Sequence, residues 1–175
     1  IFKSILYFFV QNNLMIQRIQ TIFLFLYIAA LISTFFFPVW QKISFDDQTN
    51  EVDVIVTGHV SSVVYDKAGD AIIIDNFWVG GFIIIACIVA AMSIFSFRNR
   101  LTQIKLGTLN SLFTSLLVIY YLYEIFYNID YVDIKDKISF LISFYLIFLA
   151  IFFNFLANRF IRKDELLVRE SERIR

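Results

Sequence analysis

Cysteine, proline and histidine each occur once in the 175 residues, and glycine only five times. A single cysteine excludes an internal disulfide framework, and a single histidine beside it excludes the usual four-ligand zinc sets. So little glycine and proline excludes collagen-like and low-complexity disordered chains. Charge is scarce too: 17% of residues, against about a quarter in soluble domains. Lys plus Arg equals Asp plus Glu at 15 each, so no net field draws nucleic acid. A phosphate-binding glycine loop, a nucleophile elbow and a zinc signature are all missing. Neither an enzyme nor a cofactor is expected on that inventory, and no small-molecule substrate is indicated.

What is present is apolar. Hydrophobic residues make up 59% of the chain, with 22 Phe, 9 Tyr and 2 Trp, and the mean hydropathy is +0.74. Four runs, Ile22–Val39, Phe77–Phe97, Leu106–Tyr127 and Ile138–Asn158, are each long enough for roughly 27 Å of helix or more. Continuous runs argue against a β-barrel, whose strands alternate. The sequence therefore predicts an all-α membrane protein. Its single membrane domain would be four transmembrane helices in a bundle, with an extracytoplasmic loop over 40–76 and a tail over 159–175.

Eleven of the 15 basic residues lie before the first run, between the second and third, or after the fourth. Positive residues favour the cytoplasmic side, which predicts that both termini are cytoplasmic. Trp40 and Trp78 flank the first outer loop, where interfacial indoles belong. Within that loop Glu51–Thr57, Val60–Tyr65 and Ala71–Asp75 are rich in Val and Ile. Asp66-Lys67-Ala68-Gly69-Asp70 supplies turn chemistry, so a two- or three-stranded meander is expected there. Ile1–Leu14 lacks a small-residue cleavage site and reads as an interfacial extension or an upstream in-frame translation.

Particular motifs resemble a known family. They are Met15-Ile16-Gln17-Arg18-Ile19-Gln20-Thr21 opening the first run and Phe36-Phe37-Pro38-Val39-Trp40 closing it. Arg98-Asn99-Arg100 with Gln103-Ile104 follows the second run. Asn158-Arg159, Ile161-Arg162-Lys163-Asp164-Glu165-Leu166-Leu167-Val168 and Arg173-Ile174-Arg175 end the chain. Together these are similar to the bacterial family known as domain of unknown function 4293. The resemblance implies a small four-helix protein of the Gram-negative inner membrane, and it implies no reaction.

Small residues recur on one face of each run, as they do where membrane helices approach closely. Gly107, Ser111 and Ser115 mark the third run; Ser139, Ser143, Ala150, Asn154 and Ala157 mark the fourth. Asn110, Thr114, Asn154 and Asn158 are the intramembrane polar residues expected to pack there. Glu124 is the one ionisable residue inside a run, a functional candidate by default. Near the outer end, beside Tyr120 and Tyr127, it is expected to reach the interface as an anchor or partner contact. His59 reads as a solvated loop residue and Cys87 as a small packing residue.

With an even number of spans, Gln17, Arg18 and Gln20 share a face with Arg162, Lys163, Asp164 and Glu165, the candidate partner-binding set. The tail reads as a continuation of the fourth helix, with Glu165 and Arg169 in the favourable order for a helical pair. Its interleaved charges suit docking to a protein more than holding anionic lipid. The functional expectation is a non-catalytic accessory or stabilising subunit of a larger membrane complex, with the bilayer and other integral membrane proteins as partners. The alternative is a small transporter or channel component using the polar stripe.

Overall fold

The computed structural model describes residues 19–45, 52–67, 70–97, 99–128 and 137–173. Two long loops fold back onto one end of the helices and make a sheet. In chain order the elements begin with helix α1 (Ile19–Ser33) and strands β1 (Trp40–Phe45), β2 (Val52–Gly58), β3 (Ser62–Lys67) and β4 (Asp70–Asp75). Helices α2 (Phe77–Phe95) and α3 (Arg100–Tyr123) follow, then a π-helical turn over Glu124–Asn128. Strand β5 (Lys137–Phe140) and helix α4 (Ile142–Arg173) end the chain.

This corrects the expected all-α four-helix bundle. The protein is a five-stranded antiparallel sheet, in the order β4-β3-β2-β1-β5, seated on four helices. Three of the helices, Phe77–Phe95, Arg100–Tyr127 counting the π turn, and the Ile142–Glu170 part of α4, are long and apolar enough to cross a membrane. The described part of the first helix, Ile19–Ser33, falls short of 18 residues.

Two of the expected spans are shorter than the apolar runs, the first because the chain turns and the fourth because its start joins the sheet. The first run was to continue to Val39, but the chain turns after Ser33 and passes through Pro38, which cannot extend a helix interior. Trp40 then pairs with Gly58 on one side and with Phe140 on the other. The fourth run was to begin at Ile138, yet Lys137–Phe140 pairs with β1 and the helix starts at Ile142. The expected meander does form, extended by these two strands. Its turn at 68–69 and the extension Ile1–Leu14 lie outside the described residues.

Specific side chains fix where several of these elements begin. Asn99 precedes α3, and its side-chain oxygen accepts from the Thr102 amide at 3.3 Å, an N-cap. Ser143 fixes the start of α4 to the end of α1, its hydroxyl lying 2.7 Å from the Phe37 carbonyl and 3.2 Å from that of Thr34. Trp40 lies across Gly58, where a Cβ would enter the indole, so a side chain there forces the ring aside. The strand register places Trp40, Val54, Val56 and Val63 on one face. That face joins Tyr27 and Leu31 of α1, Val79 and Ile83 of α2, Leu117 and Tyr121 of α3, and Phe144 and Ile147 of α4 in one core.

Candidate functional site

Below the sheet the interface of α3 and α4 turns polar. Gly107 and Ser111 are one turn apart, and the small side chains let the two helices approach closely. The Asn154 amide donates to the Gly107 carbonyl at 3.0 Å and to the Ser111 hydroxyl at 2.8 Å. The Asn158 amide fills the space above Gly107 so fully that a Cβ there would overlap its oxygen. Thr114 turns back to the Asn110 carbonyl within its own helix, at 2.8 Å. Asn110 is fully buried, and neither polar atom of its side chain finds a hydrogen bond among the described residues. Of the expected stripe, Asn154 bridges the helices, Asn158 packs on glycine, Thr114 is satisfied locally and Asn110 stays unpartnered.

The end remote from the sheet holds a buried ion pair. The Arg100 guanidinium is 3.1 Å from an Asp164 carboxylate oxygen and donates to the Asp164 carbonyl at 3.2 Å. The Asp164 side chain is 1% exposed and that of Arg100 18%. Both carboxylate oxygens lack a well-aligned hydrogen bond, so charge and the backbone bond hold the contact. Beside it Gln103 donates to the Ser93 carbonyl at 2.9 Å, and Gln20 is buried. Asp164 is therefore no surface docking residue.

The other tail candidates are placed differently. Glu165 pairs with Arg169 at 2.9 Å. Arg162 and Lys163 are exposed and, with Arg159, line a cavity of about 510 Å³ between α3 and α4. Gln17 and Arg18 lie outside the described residues.

Glu124 opens the π turn at the sheet end, and such turns recur at functional sites. It does not reach outward as an interfacial anchor: the residue is 4% exposed. Asn76 donates to its carboxylate at 2.9 Å and the Tyr120 hydroxyl at 3.0 Å. Asn76 also reaches the Tyr120 oxygen at 3.2 Å, while Trp78 meets the Tyr120 ring edge-on at 4.4 Å. Asn76 precedes α2 and makes no side-chain cap; its side-chain NH2 donates into this cluster instead. The Glu124 carboxylate thus joins the link between β4 and α2 to the end of α3.

Sequence reasoning placed Tyr120 beside Glu124, where the structure has it, and missed Arg100 and Asn76 as members of these sites. Arg100 carries a usable signal, since a cation at the first residue of a helix opposes the helix dipole unless an anion is supplied. Asn76 carries none, because 48 residues separate it from Glu124. Among the described residues no three His, Cys, Asp or Glu gather as a metal site.

A comparison with curated proteins finds no match to this chain. The family model described as Domain of unknown function (DUF4293) matches residues 16–174, nearly the whole length, and the protein belongs to that family.

Proposed function

We propose that this chain is a non-catalytic integral protein of the bacterial inner membrane, with both termini cytoplasmic, acting as an accessory or stabilising subunit of a larger membrane complex. Large apolar side chains such as Ile88, Met92, Ile119 and Phe152 stand exposed on the helix exteriors, a surface suited to lipid.

The observation that carries the subunit reading is β4. All six of its residues are exposed, including three consecutive isoleucines, Ile72, Ile73 and Ile74. It pairs with β3 on one side and forms the edge of the sheet on the other. The Asn76 backbone N–H donates to the Ser61 carbonyl, continuing that ladder. By alternation, Ala71, Ile73 and Asp75 then direct their amides and carbonyls outward. Proteins ordinarily cover or blunt such an edge, and an extended segment of a partner adds to it by backbone hydrogen bonds.

Ile73→Pro tests this reading, because the Ile73 amide is unused within the sheet and its loss leaves the fold intact. Wild-type protein solubilised in mild detergent is expected to bring a stoichiometric membrane protein with it, and Ile73→Pro to lose that protein at unchanged abundance. Equal retention by the variant defeats the reading. The second reading, a small transporter or channel component, draws support from Asn110 alone, a buried amide of the kind that lines hydrated paths.

A further inference from the structure

The cavity between α3 and α4 has an unusual distribution of charge. Its floor is Thr108 and Ser111 of α3 with Asn158 of α4, and its rim is Arg159, Arg162 and Lys163. The tail that supplies this rim is almost neutral in sequence, but the fold sorts its charges. Asp164 is drawn inside to Arg100, and Glu165 is engaged by Arg169. Among the described residues no carboxylate lies within ion-pair distance of the three rim cations. The opening therefore presents positive charge that the interleaved acids do not neutralise.

Two of the three floor residues are already committed. The Thr108 hydroxyl donates to the Lys105 carbonyl at 2.8 Å, and Ser111 donates to the Gly107 carbonyl at 3.2 Å while accepting from Asn154. The Asn158 oxygen has no hydrogen bond among the described residues, and the charged donors at the opening are the three cations, which select an anion over a neutral polar group. Flanking them, Phe155 and Leu166 are 59% and 60% exposed, an apolar wall beside a cationic rim. Such a basic pocket between helices, where an apolar span ends, has the chemistry of a lipid headgroup site.

We propose that this groove binds one anionic phospholipid, with Arg159, Arg162 and Lys163 holding the phosphate and Phe155 and Leu166 flanking an acyl chain. The assignment rests on the membrane placement proposed above.

Native mass spectrometry of the full chain in mild detergent tests it, with phosphatidylglycerol, phosphatidylcholine of the same acyl chains and inorganic phosphate as probes. Retention of one phosphatidylglycerol is expected, preferred on the order of tenfold over phosphatidylcholine. Changing Arg159, Arg162 and Lys163 together to Gln is expected to erase the preference. Thr108→Phe, at an exposed position, fills the floor without altering charge and is expected to lower retention as well.

Equal retention of the two lipids overturns the proposal. So does loss of the preference in the charge variant with Thr108→Phe unaffected, which means diffuse attraction to a basic tail. Displacement of the lipid by an equal concentration of inorganic phosphate means a free-anion site and overturns it too. Alkaline extraction of cell membranes reads the placement separately: a chain released by it refutes the membrane reading, whereas a retained chain without lipid preference refutes only the groove.

Discussion

Arg100 and Asp164, 64 residues apart in sequence, meet at 3.1 Å with the aspartate almost wholly buried. One closes the start of α3 and the other sits well along α4, so the pair ties the connection after α2 to the tail. The first prediction follows from its burial. Arg100→Gln leaves a buried carboxylate without its cation and is expected to cost about 3–5 kcal/mol. Replacing both residues, Arg100→Met with Asp164→Leu, is expected to recover most of that loss. Thermal unfolding in detergent checks both, and an additive double variant removes the coupling claimed here.

Gly107 is predicted to accept no side chain while Asn158 is present. The overlap of a Cβ with the Asn158 amide forces one helix outward, at about 1–3 kcal/mol. Gly107→Ala is expected to lower the unfolding temperature, and adding Asn158→Ala to restore part of it. Unchanged stability in Gly107→Ala contradicts the close approach of α3 and α4.

At the sheet end, Asn76→Leu removes one of two donors to the Glu124 carboxylate and is expected to cost about 1–3 kcal/mol. Glu124→Gln keeps an oxygen that accepts from both Asn76 and Tyr120, and is expected to cost less than Asn76→Leu. Denaturation of the two variants side by side gives the order. The reverse order means that the carboxylate charge itself is needed.

Asn110 separates the two functional readings. If the seam is only packing, Asn110→Leu removes a buried amide without partners and is expected to leave the protein as stable or more so, by about 1 kcal/mol or more. A hydrated path through the seam predicts instead a loss of solute flux in proteoliposomes at unchanged stability. Flux in the wild type that Asn110→Leu abolishes establishes the transport reading.

Labelling tests the orientation. A cysteine introduced at Asp70, on the exposed edge strand, is expected to react with an impermeant maleimide applied outside the inner membrane. One at Glu170, in the tail, is expected to stay unlabelled until the membrane is opened. The opposite pattern reverses the topology.

Short-range features were legible in the sequence. The long apolar runs of α2 and α3, the helical tail, the Glu165–Arg169 pair and three Val- and Ile-rich strands all depend on composition or on spacing of a few residues. The family was legible as well, from its terminal motifs. What tertiary structure alone decided is where the apolar runs stop being helix. Trp40, just past the first run, and Ile138–Phe140, the start of the fourth, are mostly apolar, and pairing of Trp40 with Gly58 and Phe140, from opposite parts of the chain, makes them strands. The same holds for charge. The sequence shows a tail of nearly balanced sign, but whether Asp164 neutralises its neighbours or turns inward depends on an arginine that folding brings to it. Periodicity and spacing act over one or two turns, whereas strand pairing and buried ion pairs are set by contacts tens of residues distant.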